Sequence, residues 1–572
     1  MPEMLHTTLV LAALLLPLGL AVLWSVPALR AGIGRLTPWA PVPALMLSLA
    51  GPPGEPVQLD WLLLGTGLGL TEVTRVFLLF TAALWLGAGI HARGYLQDDP
   101  RRTRFELFWL LTLTGNLVLI LALDIATFYV GFALMTFAAY GLVVHTGKPD
   151  ARRAGRVYLV MAVLGEGLIL AGIFLTVGEA AAPLLPLLAD VPAVIAGSER
   201  RDLLIALLWL GFGIKAGLPL LHLWLPLAHP VAPVPASAVL SGAMIKAGLL
   251  AWLHILPIGL VSLPGWSALA IGAGLLAAFG AAFIGLHQHH PKTVLAYSSI
   301  SQMGLITVGV GMALQEPALA PLLVAAVTVY ALHHAMAKGA LFLSVAVARH
   351  PGPLVGPLLW VLLSLPALAL AGVLGSGVVA KIGLKAPFDT AVALPDWWQH
   401  LPRLLELAAV GTTLILARAL WLLRTESQGD RAPLSVWVGW GLVLAAGPAL
   451  VFLPEYWGLA VRRPISAGDW ISLGWPVLAG ALLAFAGSRL LRPWPIPPGD
   501  LLALITPGPA MVARIRAWAT PVVRWVLGLL DPARLITIRP PSRYLRPDRF
   551  WQREVALVFA AILVVLLASG LG

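Results

Sequence analysis

The sequence predicts an all-α polytopic membrane protein. It should have about 14–16 transmembrane helices, two inverted five-helix repeats, broken helices and a C-terminal lateral amphipathic helix. Three observations predict this. The chain has 572 residues, is 59% hydrophobic and only 11% charged, and has a mean hydropathy of +0.90; a soluble protein carries roughly 25% charged residues. Apolar runs near the ~20 residues that span a bilayer recur along the chain, without the short alternating segments of a β-barrel. Two runs interrupted by proline or glycine each hold a lysine and lie about five spans apart, as in transporters built from inverted repeats around a midplane site.

Hydropathy and turn residues place spans at 5–28, 36–50, 74–92, 106–123, 125–145, 157–177, 203–221, 234–256, 266–286, 293–313, 318–347, 355–381, 402–423, 434–453, 469–490 and 553–570. The 36–50 run is short and proline-interrupted, and 52–72 reads as an extended or hairpin segment outside the core. The organisation that follows is N-terminal helices (1–105), a first repeat (106–256), a second repeat (266–423), further helices (434–490), a lateral segment (493–551) and a last span (553–570). Five is odd, so the second repeat enters from the opposite side. In 493–551, Arg514, Arg516, Arg524, Arg534, Arg539, Arg543, Arg546 and Arg549 interleave with Trp518, Trp525 and Trp551. "MVARIRAWATPVVRWVLGLL" (511–530) reads as an interfacial amphipathic helix that contacts anionic lipid, braces neighbouring subunits, or does both.

The basic stretches 91–104, 148–156, 287–292, 424–431 and 489–492 fall on one side of this topology, and "SERRD" (198–202) and "VRR" (461–463) on the other. The positive-inside rule then predicts a multi-pass protein of a bacterial inner membrane with a periplasmic N-terminus. That N-terminus lacks a basic n-region and a clear cleavage site, so it reads as a first helix. The net charge of +11 belongs to these loops, and nucleic-acid binding is not expected. With no cysteine, the chain can form no disulfide, iron–sulfur ligation or thiol nucleophile. No cofactor is expected in this chain, and any redox centre sits on a partner. No Ser/His/Asp arrangement, phosphate loop or credible metal spacing is present, so no catalytic or metal site is expected; "HQHH" (287–290) reads as a solvated loop.

The informative residues are charges inside apolar runs. A charge at mid-bilayer costs at least ~2.5–3.5 kcal/mol on insertion scales, so such residues face an interior, find partners and mark ion paths. Lys215 and Lys246 lie on consecutive spans, with His222 and His229 between them. Lys338 follows His333 and His334, the latter one helical turn before it and on the same face. Lys381 sits in "GSGVVAKIGLKAP" (375–387), and Glu166 interrupts "LVMAVLGEGLILAG" (159–172). Lys292 and Lys385 fit snorkelling to the interface. Snorkelling accounts poorly for the whole set, which reads as a relay. Pro219, Pro226, Pro230, Pro233 and Pro235 cannot fit one straight helix, so the helix carrying Lys215 must break or end there.

"GIKAGLPLLHLWLPLAHPVAPVPASAVLSGAMIKAGLL" (213–250), "PKTVLAYSSISQMGLI" (291–306) and "HHAMAKGALFL" (333–343) resemble signature segments of the proton-translocating antiporter-like family. That family comprises large membrane subunits of respiratory complex I, of membrane-bound hydrogenases and formate hydrogenlyase, of Mrp-type cation/proton antiporters and of DAB-type inorganic-carbon transporters. The resemblance covers about residues 70–425. It implies that Lys215, Lys246, Lys338, Lys381 and His334 match the family's axial lysines and histidine. It also implies transfer of H⁺ or Na⁺ coupled to a partner's chemistry. The partners would be quinone- or hydrogenase-type redox subunits, or a large zinc-containing protein resembling a carbonic anhydrase. Two departures stand out. The family's fifth-helix glutamate position is Ala133 in "YVGFALMTFAAY" (129–140), and an aspartate position is Leu227. Glu166 is the candidate replacement for the missing acid. Asp124, often acidic in the family, fits either capping or transport. A non-conducting structural subunit is the alternative that these departures motivate.

Overall fold

The computed structural model describes residues 3–50, 53–63, 65–180, 186–351, 356–390, 392, 394–426, 431–459, 465–490 and 496. Its α-helices run in chain order as α1 Glu3–Leu23, α2 Arg30–Leu36, α3 Val42–Leu49, α4 Glu72–Tyr95, α5 Arg102–Leu121, α6 Ile125–Val143 and α7 Pro149–Glu179. Then come α8 Val191–Gly197, α9 Arg201–Ala216, α10 Trp224–Val231, α11 Val234–Val239, α12 Lys246–Ile255, α13 Pro264–Leu286 and α14 Pro291–Gln315. The remainder are α15 Ala320–Arg349, α16 Pro357–Ala371, α17 Ser376–Lys385, α18 Leu401–Thr425, α19 Leu434–Leu450, α20 Leu453–Tyr456 and α21 Ala467–Leu490. The fold is all-α and polytopic: among the described residues, twelve helical segments are long and apolar enough to cross a membrane.

Three expected spans are not among those twelve: 203–221 and 434–453 are the shorter helices α9 and α19, of 16 and 17 residues, and 36–50 is not a span. Residues 36–50 form only a short 3₁₀ turn and the eight-residue α3. Pro38, Pro41 and Pro43 each lack the N–H that a continuous helix needs. The expected 52–72 hairpin is present as two short antiparallel strands, β1 Val57–Leu59 and β2 Thr66–Leu68. The expected lateral segment (493–551) and last span (553–570) lie, apart from Ile496, outside the described residues, as does "VRR" (461–463).

Glycine sets the closest helix contacts. A Cβ on Gly115 of α5 would lie 2.3 Å from the backbone N of Met135 in α6, and one on Gly304 of α14 would lie 2.4 Å from the carbonyl O of Gly274 in α13. Backbones this close exclude lipid, and small residues make the approach possible. These pairs open the two stretches expected to be repeats, and each stretch later contains a broken helix that carries a lysine. Helices α14 and α15 form the centre: every residue from Pro291 to Leu314 is buried, as is nearly all of α15.

Candidate functional site

Breaks in helices position the lysines. Helix α9 stops at Ala216 because Gly217 takes a left-handed conformation (φ 85°), which glycine adopts without a Cβ clash. The chain turns through His222, resumes as α10, breaks again at Ala232–Pro233 and re-enters as α11. Lys215, in the last turn of α9, is buried. Its Nζ donates to Tyr158 Oη at 3.3 Å, and Tyr158 in turn donates to the Thr136 carbonyl at 2.6 Å. The ammonium also lies 5.4–5.7 Å from the ring centroids of Phe132, Tyr158 and Trp224, within range of cation–π attraction. Glu166 lines the same cavity, of ≈ 20 Å³, enough for about one water. It faces Lys215, Tyr129 and Thr136, yet neither carboxylate oxygen has a direct hydrogen-bond partner.

Lys246 follows a π-helical turn, Leu240–Met244. The wider turn redirects the backbone bonding, with Ile245 N donating to Leu240 O at 3.2 Å. Lys246 Nζ donates to Ser241 O at 2.6 Å. Ser241 Oγ meets Ser299 Oγ at 2.7 Å, Ser299 Oγ donates to Leu295 O at 3.0 Å, and Lys338 Nζ donates to the same carbonyl at 3.0 Å. A chain of hydroxyls and carbonyls therefore joins two wholly buried lysines. His334 lies within Coulomb range of both, and each of its ring nitrogens lacks a partner among the described residues.

The line extends both ways. His229 stacks on Phe342 with centroids 4.5 Å apart, has no hydrogen-bond partner for either nitrogen, and lies within Coulomb range of Lys338 and Lys292. On the other side, His333 Nδ1 meets Ser376 Oγ at 2.8 Å and lies within Coulomb range of Lys246 and Lys381. Lys381 Nζ donates at 2.8 Å to the carbonyl of Ala371, left open where α16 ends.

Asp124 and His222 have backbone partners of their own. Asp124 is the N-cap of α6: one carboxylate oxygen accepts from Thr127 N at 2.7 Å and the other from Gly67 N at 3.1 Å. It joins the β-hairpin to a helix start. His222 bonds Leu218 O at 3.2 Å within its own turn and meets the edge of Tyr297. Lys292 does not snorkel; it is buried, with Nζ on Ala232 O at 2.5 Å. Lys385 is ion-paired to Glu406 at 2.7 Å. Sequence reasoning missed Tyr158, Ser241, Ser299 and Glu406. Their signal is weak: hydroxyls are common in membrane helices, and Glu406 stands close to Arg403 near a helix start.

Residues 122–352 match the family model described as the transmembrane part of NADH:quinone oxidoreductase and Mrp antiporters. The antiporter-like region holds Lys215, Lys246 and Lys338, while Lys381 follows it. Hydrogenase-4 component B of Escherichia coli is 28% identical over 287 residues, which is 48% of this chain and 42% of that protein. NADH-quinone oxidoreductase subunit N of Heliobacterium modesticaldum is 27% identical over 360 residues, covering 60% and 73%. The chain spans about half the length of the first curated relatives it matches. A chain of the Mrp complex from Dietzia sp. DQ12-45-1b superposes with a TM-score of 0.73 at 21% identity, over 98% of this chain and 63% of that one. A chain of the membrane-bound sulfane sulfur reductase, an archaeal respiratory complex, gives 0.63 at 20% identity, over 84% and 99%. Both likenesses concern the fold alone.

Proposed function

We propose that this chain is the H⁺- or Na⁺-translocating subunit of a larger membrane complex. The ion passes through the buried line Lys215, Lys246, Lys338 and Lys381, with His334, His333 and His229 between them. The observation that carries the reading is the pair of wholly buried lysines joined through Ser241 and Ser299, beside a histidine that no group among the described residues satisfies. Buried polar atoms need partners, and water is the remaining donor and acceptor at His334 and His229. Lysine, hydroxyl, histidine and water in series can pass a proton on. Glu166 acts as the acid facing Lys215 in place of the missing acid at Ala133. A carboxylate that approaches or recedes from a buried ammonium changes its preference for the proton, which links ion transfer to motion in a partner.

The orientation that fits the basic loops puts the N-terminus on the periplasmic side of a bacterial inner membrane. Relatives named as hydrogenase and NADH-quinone oxidoreductase components favour redox-type partner subunits. Mass spectrometry of what co-purifies in gentle detergent tests this. Quinone- or hydrogenase-type subunits would support a redox-driven pump, a large zinc protein inorganic-carbon uptake, and small membrane subunits without redox centres Mrp-type exchange. Lys215→Ala and Lys381→Ala are each expected to lower coupled ion transfer by at least about tenfold, a loss of ~1.4 kcal/mol or more, with assembly intact. Near-normal transfer in both would favour a non-conducting structural subunit.

A further inference from the structure

Helix α17 carries two lysines four residues apart, so they share a face. Lys381 belongs to the proposed line; Lys385 does not. The two lie within Coulomb range of each other and line one cavity with Glu406 of α18, Tyr330 of α15 and Ser472 of α21. Lys385 Nζ is 2.7 Å from Glu406 Oε1 and 3.3 Å from Ser472 Oγ, and Trp475 Nε1 donates to Glu406 Oε2 at 3.1 Å. Lys381 makes its own bond to a carbonyl and no ion pair among the described residues. Glu406 is therefore held by two other helices in a cavity that both cations line.

We propose that Glu406, clamped by Lys385 and Trp475, is a positioning residue that sets the electrostatic environment in which Lys381 takes up and releases its ion. This deepens the proposed function and rests on it. The arrangement works by cancellation. Lys385 repels a charged Lys381, and Glu406, paired to Lys385, offsets part of that repulsion. Any movement of α18 or α21 that opens the pair restores the repulsion and expels the proton from Lys381. The titratable groups around Lys381 are Lys385 on its own helix and His333 on α15, both within Coulomb range, and Tyr330 on α15 and Glu406 on α18, which line the same cavity. Of these, Glu406 is the acidic group.

The test uses the full chain with its co-purified partners in proteoliposomes, with ion flux measured across pH. Lys381→Ala is the control for the underlying reading: flux equal to wild type in that variant means that the relay itself is wrong. If Lys381→Ala abolishes flux, Glu406→Gln should move the alkaline midpoint of flux down by about one pH unit, because Lys385 is left uncompensated. Lys385→Met should move it up, because Glu406 then faces Lys381 alone. The double variant should return close to wild type, and Glu406→Asp should keep most of the wild-type profile. Opposite shifts that cancel are something a purely structural role does not produce. An unchanged midpoint in Glu406→Gln, or shifts of the same sign in both single variants, overturns the proposal. Should Glu406→Gln fail to assemble, Lys385→Met and the double variant still decide, since equal midpoints in those two would also overturn it.

Discussion

At the scale of single residues, the break between α16 and α17 shows how tightly one lysine is held. Gly372 has φ +103°, and a Cβ there would lie 2.4 Å from Lys381 Cδ. Gly375 also has positive φ, +49°, but its nearest neighbour would be Pro448 Cβ at 3.8 Å. Gly372→Ala should therefore cost at least ~1 kcal/mol in backbone strain and also push Lys381 off the Ala371 carbonyl, removing ion transfer. Gly375→Ala should cost the strain alone and keep transfer. Thermal unfolding and flux, measured side by side on the two variants, check this; equal flux loss in both would show that strain, and not the lysine, is responsible. The lysines themselves were legible in the sequence because a cation in an apolar run has few explanations. Asp124 was not resolved by sequence, since an acid at a helix start suits both capping and transport. Its two backbone donors settle its contacts as those of a cap.

At the scale of elements, twelve of the sixteen expected spans appear among the described residues as helical segments long and apolar enough to cross a membrane, because length and hydropathy dominate in a bilayer. The π-helical turn before Lys246 was invisible, since nothing in "AVLSGAM" marks a wider turn. The ties between loops were equally hidden, because they depend on pairings distant in sequence. His145, after α6, meets Asp99, after α4, at 3.0 Å and packs edge-on against Phe105. Burial pushes the His145 pKa down against the pull of Asp99. Burial alone would raise Asp99, yet His145 and Arg101 bring it below its ordinary value. Both signs agree. The unfolded chain binds a proton more readily than the folded chain at each site, so stability is fully present at neutral pH and falls on acidification. The His145 contribution goes first, below the ordinary histidine value of about 6.5, and the Asp99 contribution near or below about 4. His145→Gln should flatten the first part of this loss. Unfolding temperature measured against pH checks it, and an unchanged slope would exclude the clamp as its source.

At the scale of the whole molecule, the buried lysines are expensive and poorly paired. Lys246 and Lys338 are 0% exposed and are bonded to carbonyls alone, and the described ion pairs lie elsewhere, at helix ends and at Lys385–Glu406. A fold selected only for stability gains by replacing such groups, because apolar side chains of similar volume remove the desolvation cost. Lys246→Met and Lys338→Met should therefore unfold at equal or higher temperature, with a gain of up to ~1–3 kcal/mol, while ion transfer falls by at least about tenfold. The two readings of this chain diverge on that experiment. If the lysines brace the helices, their loss lowers stability and flux together, in proportion. If they carry ions, stability holds or rises as flux disappears, and the tension between the two quantities identifies what the charges are for.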